Sequence, residues 1–285
     1  MPEQSLEKLT MAITGANTGI GRANLLALAA RRVGRLIVLA RSAERTQPVI
    51  DELEAKHPEC AVHFVPLDLG SLAAVRRAAD AVLELDFTID VLINNAGIAG
   101  VQGQTSDGFE LAWGTNHVGH YLLTEKLLPL VKRSSAGRIV IVASRAHYRA
   151  KGIDWDAVTQ TTRTLSAFPE YCVSKLANVL HASELARRLA GTTVTTYSVH
   201  PGGVASDIWS RRLGGFAALL RPFLITNEEG AKTQLRCETD PQLNRETGLY
   251  YEKERAKVPS RLALDETLQA ELRARSDEWV RPFLA

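Results

Sequence analysis

Only three cysteines, Cys60, Cys172 and Cys237, occur in 285 residues, and no two form a CxxC pair. An odd, scattered set excludes a disulfide framework and a cysteine-rich zinc site, and suits a reducing compartment. Charge of one sign is also scarce: 34 basic against 32 acidic residues leave a formal +2. That balance argues against a nucleic-acid partner, and pairs such as Arg31-Arg32, Arg76-Arg77 and Arg211-Arg212 read as solvated helix faces. Apolar runs are broken well short of the about 18 residues that span a bilayer. The polar start, MPEQSLEKLT, has the form of neither a secretory signal nor a membrane anchor. Repeats, low-complexity stretches and Gly/Ser linkers are missing too. The expectation is one cytoplasmic domain over residues 1–285, without nucleic acid and without a membrane span.

Short apolar runs alternate with longer helical patterns. Strands are predicted at 9–14, 35–40, 61–66, 90–94, 138–143 and 193–199, and helices at 20–32, 43–57, 71–84, 108–133 and 168–190. Strands that are apolar almost throughout signify a parallel sheet covered on both faces. Right-handed crossovers then make the fold class α/β, a Rossmann-like doubly wound sheet. Two stretches interrupt the rhythm, 145–169 and 206–225. Long irregular segments in compact domains are usually binding loops, so a substrate lid is expected at about 204–226.

Tyr171 and Lys175 stand four apart in YCVSK and so share a helix face. An ammonium beside a phenol favours the phenolate, which would tune Tyr171 for proton transfer to or from a substrate oxygen. The same spacing recurs by chance on ordinary helices, so its meaning depends on a redox cofactor. The first strand supplies the signal for one, running into TGANTGIG with Gly15, Gly19 and Gly21. Such a turn lets the backbone approach a pyrophosphate, and the following helix offers free N–H groups and a positive dipole end. At the tip of strand two stands Arg41, with no acid to hold a ribose 2′-hydroxyl. An arginine there suits a 2′-phosphate, selecting NADP(H), with Arg45 as a second cation. Asp68, in PLDLG, is placed to accept from an adenine amino group, and Ala96 and Gly97 in NNAG leave room for a flat base or ribose.

TGANTGIG, Asp68, NNAG at 94–97, Asn116 in TNHVGH, Ser144, YCVSK and Pro201-Gly202 occur in the order of the short-chain dehydrogenase/reductase superfamily, which the whole chain resembles. FELAWGTNHVGHYLLT, FPEYCVSKLAN, ELARRLAGTTVTTYSVHPG and PSRLALDETLQAELRARSDEW look like its retinol dehydrogenase branch, as does the wide gap from Ser144 to Tyr171. The resemblance implies Tyr171 as general acid/base, Lys175 on the nicotinamide ribose, and Ser144 on the substrate oxygen. It implies that Asn116 holds a water relaying protons from Lys175. Asn17, Thr18 and Ile20 of the glycine turn, Leu69 beside Asp68, and Asn95 fall to the cofactor by the same likeness. So do Pro201, Gly202, Val204 and Ser206, the last replacing the family's usual Thr.

The resemblance implies an NADP(H)-dependent oxidoreductase interconverting a carbonyl and an alcohol, with no metal. Ile208, Trp209, Leu213 and Phe216 in the expected lid favour a lipophilic, retinal-like substrate, Trp209 touching it, although they equally suit an amphipathic helix docking on the core. A reductase of steroid, quinone or polyketide carbonyls and a non-enzymatic NADP(H) sensor are the alternatives. Superfamily members often pair through the helices matching 108–133 and 168–190, so a homodimer is also expected. His117 and His120, without a third ligand, read as helix packing, Cys172 as a packing residue, and Trp279 and Phe283 as anchors. Asp154 and Asp156 read as solvated loop acids. Replacing Ala40 by Asp and Arg41 by a neutral residue is expected to shift the kinetic preference from NADP(H) to NAD(H). An unmoved ratio of kcat/KM values would refute the Arg41 assignment.

Overall fold

A computed structural model describes residues 6–202 and 226–284. The expected lid, except for Thr226, lies outside the described residues, and with it Val204, Ser206 and Trp209. Strands β1 (Thr10–Thr14), β2 (Arg35–Ala40), β3 (Ala61–Pro66), β4 (Val91–Asn94), β5 (Arg138–Val142) and β6 (Thr195–His200) meet the predicted positions within a residue or two. So do helices α1 (Gly19–Ala30), α2 (Ala43–Lys56), α3 (Leu72–Glu84) and α5 (Phe168–Arg188). Helix α4 departs from regularity, passing from Leu111–Trp113 through a π turn at Gly114–Val118 into Gly119–Val131.

Two strands and two helices complete the described chain: α6 (Asn227–Thr239), β7 (Leu249–Glu252), β8 (Arg255–Lys257) and α7 (Glu266–Val280). Their patterns are faint for physical reasons. β8 is three exposed residues, and the buried stripe of α7 is Gln269, Leu272, Ser276 and Val280, half of it polar.

The eight strands form one sheet in the order β3-β2-β1-β4-β5-β6-β7-β8, parallel except for β8. Successive strand residues point to opposite faces, and the core divides accordingly. Ala12, Ile37, Leu92 and Ile139 pack beneath α3, α4 and α5. Met11, Ile13, Leu36, Val38 and Val140 pack against α1, α2 and α6. The chain reverses direction across the sheet between β1 and β4, and the crevice at the carboxyl ends of these strands is where such folds bind ligands.

The C-terminal helix α7 lies across the two long helices expected to meet a second copy. Tyr121 donates to Asp277 at 2.6 Å, His117 Nε2 lies 3.0 Å from Ser276 Oγ, and Arg273 pairs with Glu184 at 3.3 Å. Trp279 sits edge-on to Phe109 and Trp113, so it is a core anchor, and Phe283 packs beside the same cluster. His117 and His120 are buried, and burial lowers each to a pKa of about 3. Cys172 is buried, and desolvation raises its thiol to about 11.

Helix α6 is held to α1 by one buried polar pair, Asn24 Nδ2 donating to Glu238 Oε1 at 2.9 Å. Burial raises the Glu238 carboxyl to about 8, against the bonding from Asn24. A folded-state pKa above the unfolded value makes folding take up a proton, so stability falls as pH rises from about 4.5 to about 8. Within that window each pH unit costs at most about 1.4 kcal/mol. Glu238→Gln is expected to raise the urea midpoint at pH 8 and leave it almost unchanged at pH 4.5. Equal shifts at both values would show that the carboxyl does not titrate in the fold.

Candidate active site

The site is built on the ends of β1, β4, β5 and β6. At the end of β1 the chain turns at Gly15, whose φ is +68°, a left-handed conformation that glycine adopts without strain. The Gly15 amide donates to Leu39 O at 2.8 Å, tying the turn to the strand that carries Arg41. Gly21 is required by space rather than by backbone shape. A Cβ there would stand 2.5 Å from Gly15 O and from Asn95 Nδ2. The first turn of α1 therefore closes directly on the β1 and β4 ends, with N–H groups that no helical carbonyl can accept.

Thr14 Oγ1 organises the crevice. It accepts from the amides of Asn95 at 3.0 Å and Ala96 at 2.9 Å, and lies 2.9 Å from His120 Nε2. His120 Nδ1 is 3.1 Å from Asn116 O, which can only accept, so the proton belongs on Nδ1 and Nε2 accepts from Thr14. Asn95 Nδ2 donates to Thr14 O at 2.7 Å. These bonds hold the NNAG segment open beside the glycine turn.

The YCVSK helix begins at Ala167, which holds a left-handed φ of +48° ahead of Pro169. Glu170 accepts from the Thr164 amide at 2.9 Å and its hydroxyl at 2.6 Å, fixing the loop to the first helical turn. On the inward face Lys175 Nζ donates to Val142 O at 2.8 Å, and Asn178 Nδ2 donates to the same oxygen at 3.0 Å. Ser144 follows β5 and hydrogen-bonds the Tyr171 side chain.

The electrostatics differ from the expectation that Lys175 depresses the Tyr171 pKa. Tyr171 is pushed up to about 12 by desolvation, which outweighs the Ser144 hydrogen bond. Desolvation brings Lys175 down to about 7. The ammonium points to Val142 O and lies 5.8 Å from the Tyr171 ring centroid, so burial governs both groups.

Asn116 is buried in the π turn. Its side chain accepts from Ile98 N at 2.8 Å and donates to Ile98 O at 2.9 Å and Ser174 Oγ at 3.0 Å. These bonds engage the side-chain amide with protein partners, and its backbone carbonyl receives His120.

A cleft of about 870 Å³ brings most of the expected residues together. Gly15, Thr18, Gly19, Ile20 and Gly21 form one wall, and Asn95, Ala96 and Gly97 the floor. Ser144, Tyr171 and Lys175 stand opposite, with Pro201 and Gly202 at the end of β6. Asn17, Arg41, Asp68, Leu69 and Asn116 do not line it. Arg41 and Asp68 are exposed at the ends of β2 and β3, whereas Leu69 is buried. Asp68 Oδ1 accepts from the Gly70 amide at 3.0 Å. Arg145, Tyr148, Arg149, Phe168 and His200 line the cleft without a sequence signal to mark them, except that His200 directly precedes Pro201-Gly202.

The chain belongs to the short chain dehydrogenase family, whose model matches residues 9–213. It resembles the retinol dehydrogenase branch. A protein named dehydrogenase/reductase SDR family member 13 from Bos taurus is 40% identical over 253 residues, covering 87% of this chain and 66% of that protein. Human retinol dehydrogenase 12 is 40% identical over 84% of this chain and 76% of its own length. Among solved structures, an uncharacterized protein from Mycobacterium paratuberculosis superposes with a TM-score of 0.77 at 31% identity, over 98% of this chain and 96% of that one.

Thr14→Val, nearly isosteric, strands the Ala96 amide and the His120 ring nitrogen and leaves the Asn95 amide with Ile93 O alone at 3.0 Å. At about 1–3 kcal/mol for an unsatisfied buried group, these two give an expected loss of about 2–6 kcal/mol in urea unfolding. A loss under about 0.5 kcal/mol would remove Thr14 from its organising position.

Proposed function

We propose that the chain is an NADP(H)-dependent oxidoreductase that interconverts a carbonyl and an alcohol on a lipophilic substrate. The observation that carries this reading is the half-buried Ser144 with the buried Tyr171 and Lys175, facing a glycine wall across one cleft. The cleft suits a dinucleotide. Gly15 and Gly21 leave no space for a side chain, and a Cβ on Gly97 would come within 3.4 Å of Lys175 Nζ. The nicotinamide of the bound cofactor supplies the hydride.

The chain's own residues then divide the work. The first turn of α1 presents amides to the pyrophosphate, Arg41 at the β2 tip takes the 2′-phosphate, and Asp68 takes the adenine amino group. Lys175 holds the nicotinamide ribose hydroxyls. The Ser144 hydroxyl orients the substrate oxygen against Tyr171. In reduction Tyr171 gives its proton to that oxygen, a role for which a phenol near pKa 12 is in the right state throughout the neutral range. Lys175, whose pKa is about 7, would gain and lose a proton around neutrality and so supply the one that Tyr171 gives up. Support for the cofactor and substrate class comes from similar proteins, among them the human retinol dehydrogenase 12 and a chicken carbonyl reductase solved with NADPH.

Tyr171→Phe is expected to lower kcat for NADPH-dependent carbonyl reduction by at least about 10²–10⁴-fold, leaving NADPH binding almost intact. Wild-type protein that binds NADPH but reduces nothing across aldehydes and ketones of graded size would instead mark a cofactor sensor. The pH dependence is a second check. Alcohol oxidation requires the phenolate and is expected to climb through the alkaline range, whereas reduction is not. Oxidation already at its plateau near pH 7 would contradict a Tyr171 governed by burial.

A further inference from the structure

Ser144 opens a short 3-10 turn, Arg145–Arg149, and its Oγ accepts from the Ala146 amide at 3.1 Å. Three residues on, His147 is fully buried with both ring nitrogens engaged. Nδ1 lies 2.6 Å from Ser144 O, and Nε2 lies 3.1 Å from the backbone nitrogen of Ser260. A carbonyl only accepts and an amide only donates, so the ring is neutral with its proton on Nδ1. Burial lowers the His147 pKa, in keeping with that state. The ring rests against Tyr148, with centroids 4.0 Å apart, and Tyr250 at 4.8 Å. Tyr148 makes a parallel connection, its hydroxyl donating to Val258 O at 2.6 Å. Ser260 caps the turn Arg261–Leu264, which leads into α7.

We propose that His147 is a positioning residue for Ser144, fastening the backbone of that residue to the 258–260 segment so that the serine hydroxyl stays aimed at Tyr171 and the substrate oxygen. The inference rests on the role given to Ser144 above. One ring spans 113 residues of sequence between the end of β5 and the approach to α7. The C-terminal segment is thereby part of the catalytic geometry although none of it lines the cleft among the described residues.

The test uses the full chain with His147→Asn, His147→Gln and His147→Phe. Asparagine keeps a donor where Nδ1 stood, and glutamine keeps an acceptor near the position of Nε2. Neither keeps both, so all three variants break the bridge and are expected to lose about ten- to hundredfold in kcat with unchanged NADPH affinity. A residue that only stabilises the fold would lower kcat only in step with Tm. Losses that track Tm, or a wild-type kcat in either the Asn or the Gln variant, would overturn the proposal. Hydrogen exchange at the Ser260 amide needs no turnover. It is expected to be slow in wild type and Gln, and fast in Asn and Phe; no difference would overturn the bridge itself. Wild-type protein inactive toward every carbonyl would count against the proposed function, while the exchange result would still decide whether the bridge exists.

Discussion

The hydroxyl of Thr14 is the point on which the site depends. A parallel sheet leaves the ends of neighbouring strands with backbone groups that the ladder cannot pair, and between β1 and β4 the chain diverges to opposite faces. One oxygen answers most of that deficit, taking the amides of Asn95 and Ala96 while giving its proton to His120. His120 reaches the Asn116 carbonyl, so the bond network runs from the glycine turn to the irregular part of α4. The π turn there opens on Gly114 and is followed by Gly119, at each of which a Cβ would lie within 2.5 Å of neighbouring residues. Close approach of α4 to the loops below it therefore goes with the distortion that aims Asn116 at Ile98.

Burial then sets the chemistry. Lys175 has its charge taken out of water with the Val142 carbonyl to compensate it, and its pKa falls to about 7. Desolvation of an ammonium and of a phenolate act in opposite directions, lowering one pKa and raising the other. Two groups whose ordinary values lie close together are consequently driven apart, to about 12 and about 7, which leaves Tyr171 neutral and Lys175 poised near neutrality. A Ser144 hydroxyl bonded to the phenol is the polar counterweight in that apolar setting.

The first six strands and the helices between them were legible because most are apolar on both faces or along one stripe, and each is bounded by turn residues. Gly15, Gly21, Ser144, Tyr171 and Lys175 were legible as types at spacings that chemistry demands. Thr14 and His147 were not. A buried threonine at a strand end and a histidine in a turn look ordinary until their partners, 81 and 113 residues away, are known. Helix α7 was hidden for a related reason, since its buried Gln269 and Ser276 face polar partners, Ala263 O and His117, rather than an apolar core.

The pair in YCVSK shares a helix face because of a four-residue spacing, and the glycine turn follows β1 because strand and loop are written consecutively. Local periodicity and backbone sterics suffice for such features, so the sequence by itself determined the sheet, its crossovers and the kinds of group the site contains. Tertiary structure decided their electrical state and their aim. The direction of the Tyr171 and Lys175 shifts depends on how deeply each is buried, and the fastening of Ser144 depends on a segment near the other end of the chain. Desolvation and long-range hydrogen bonding arise only when distant residues meet, and no window of sequence contains them.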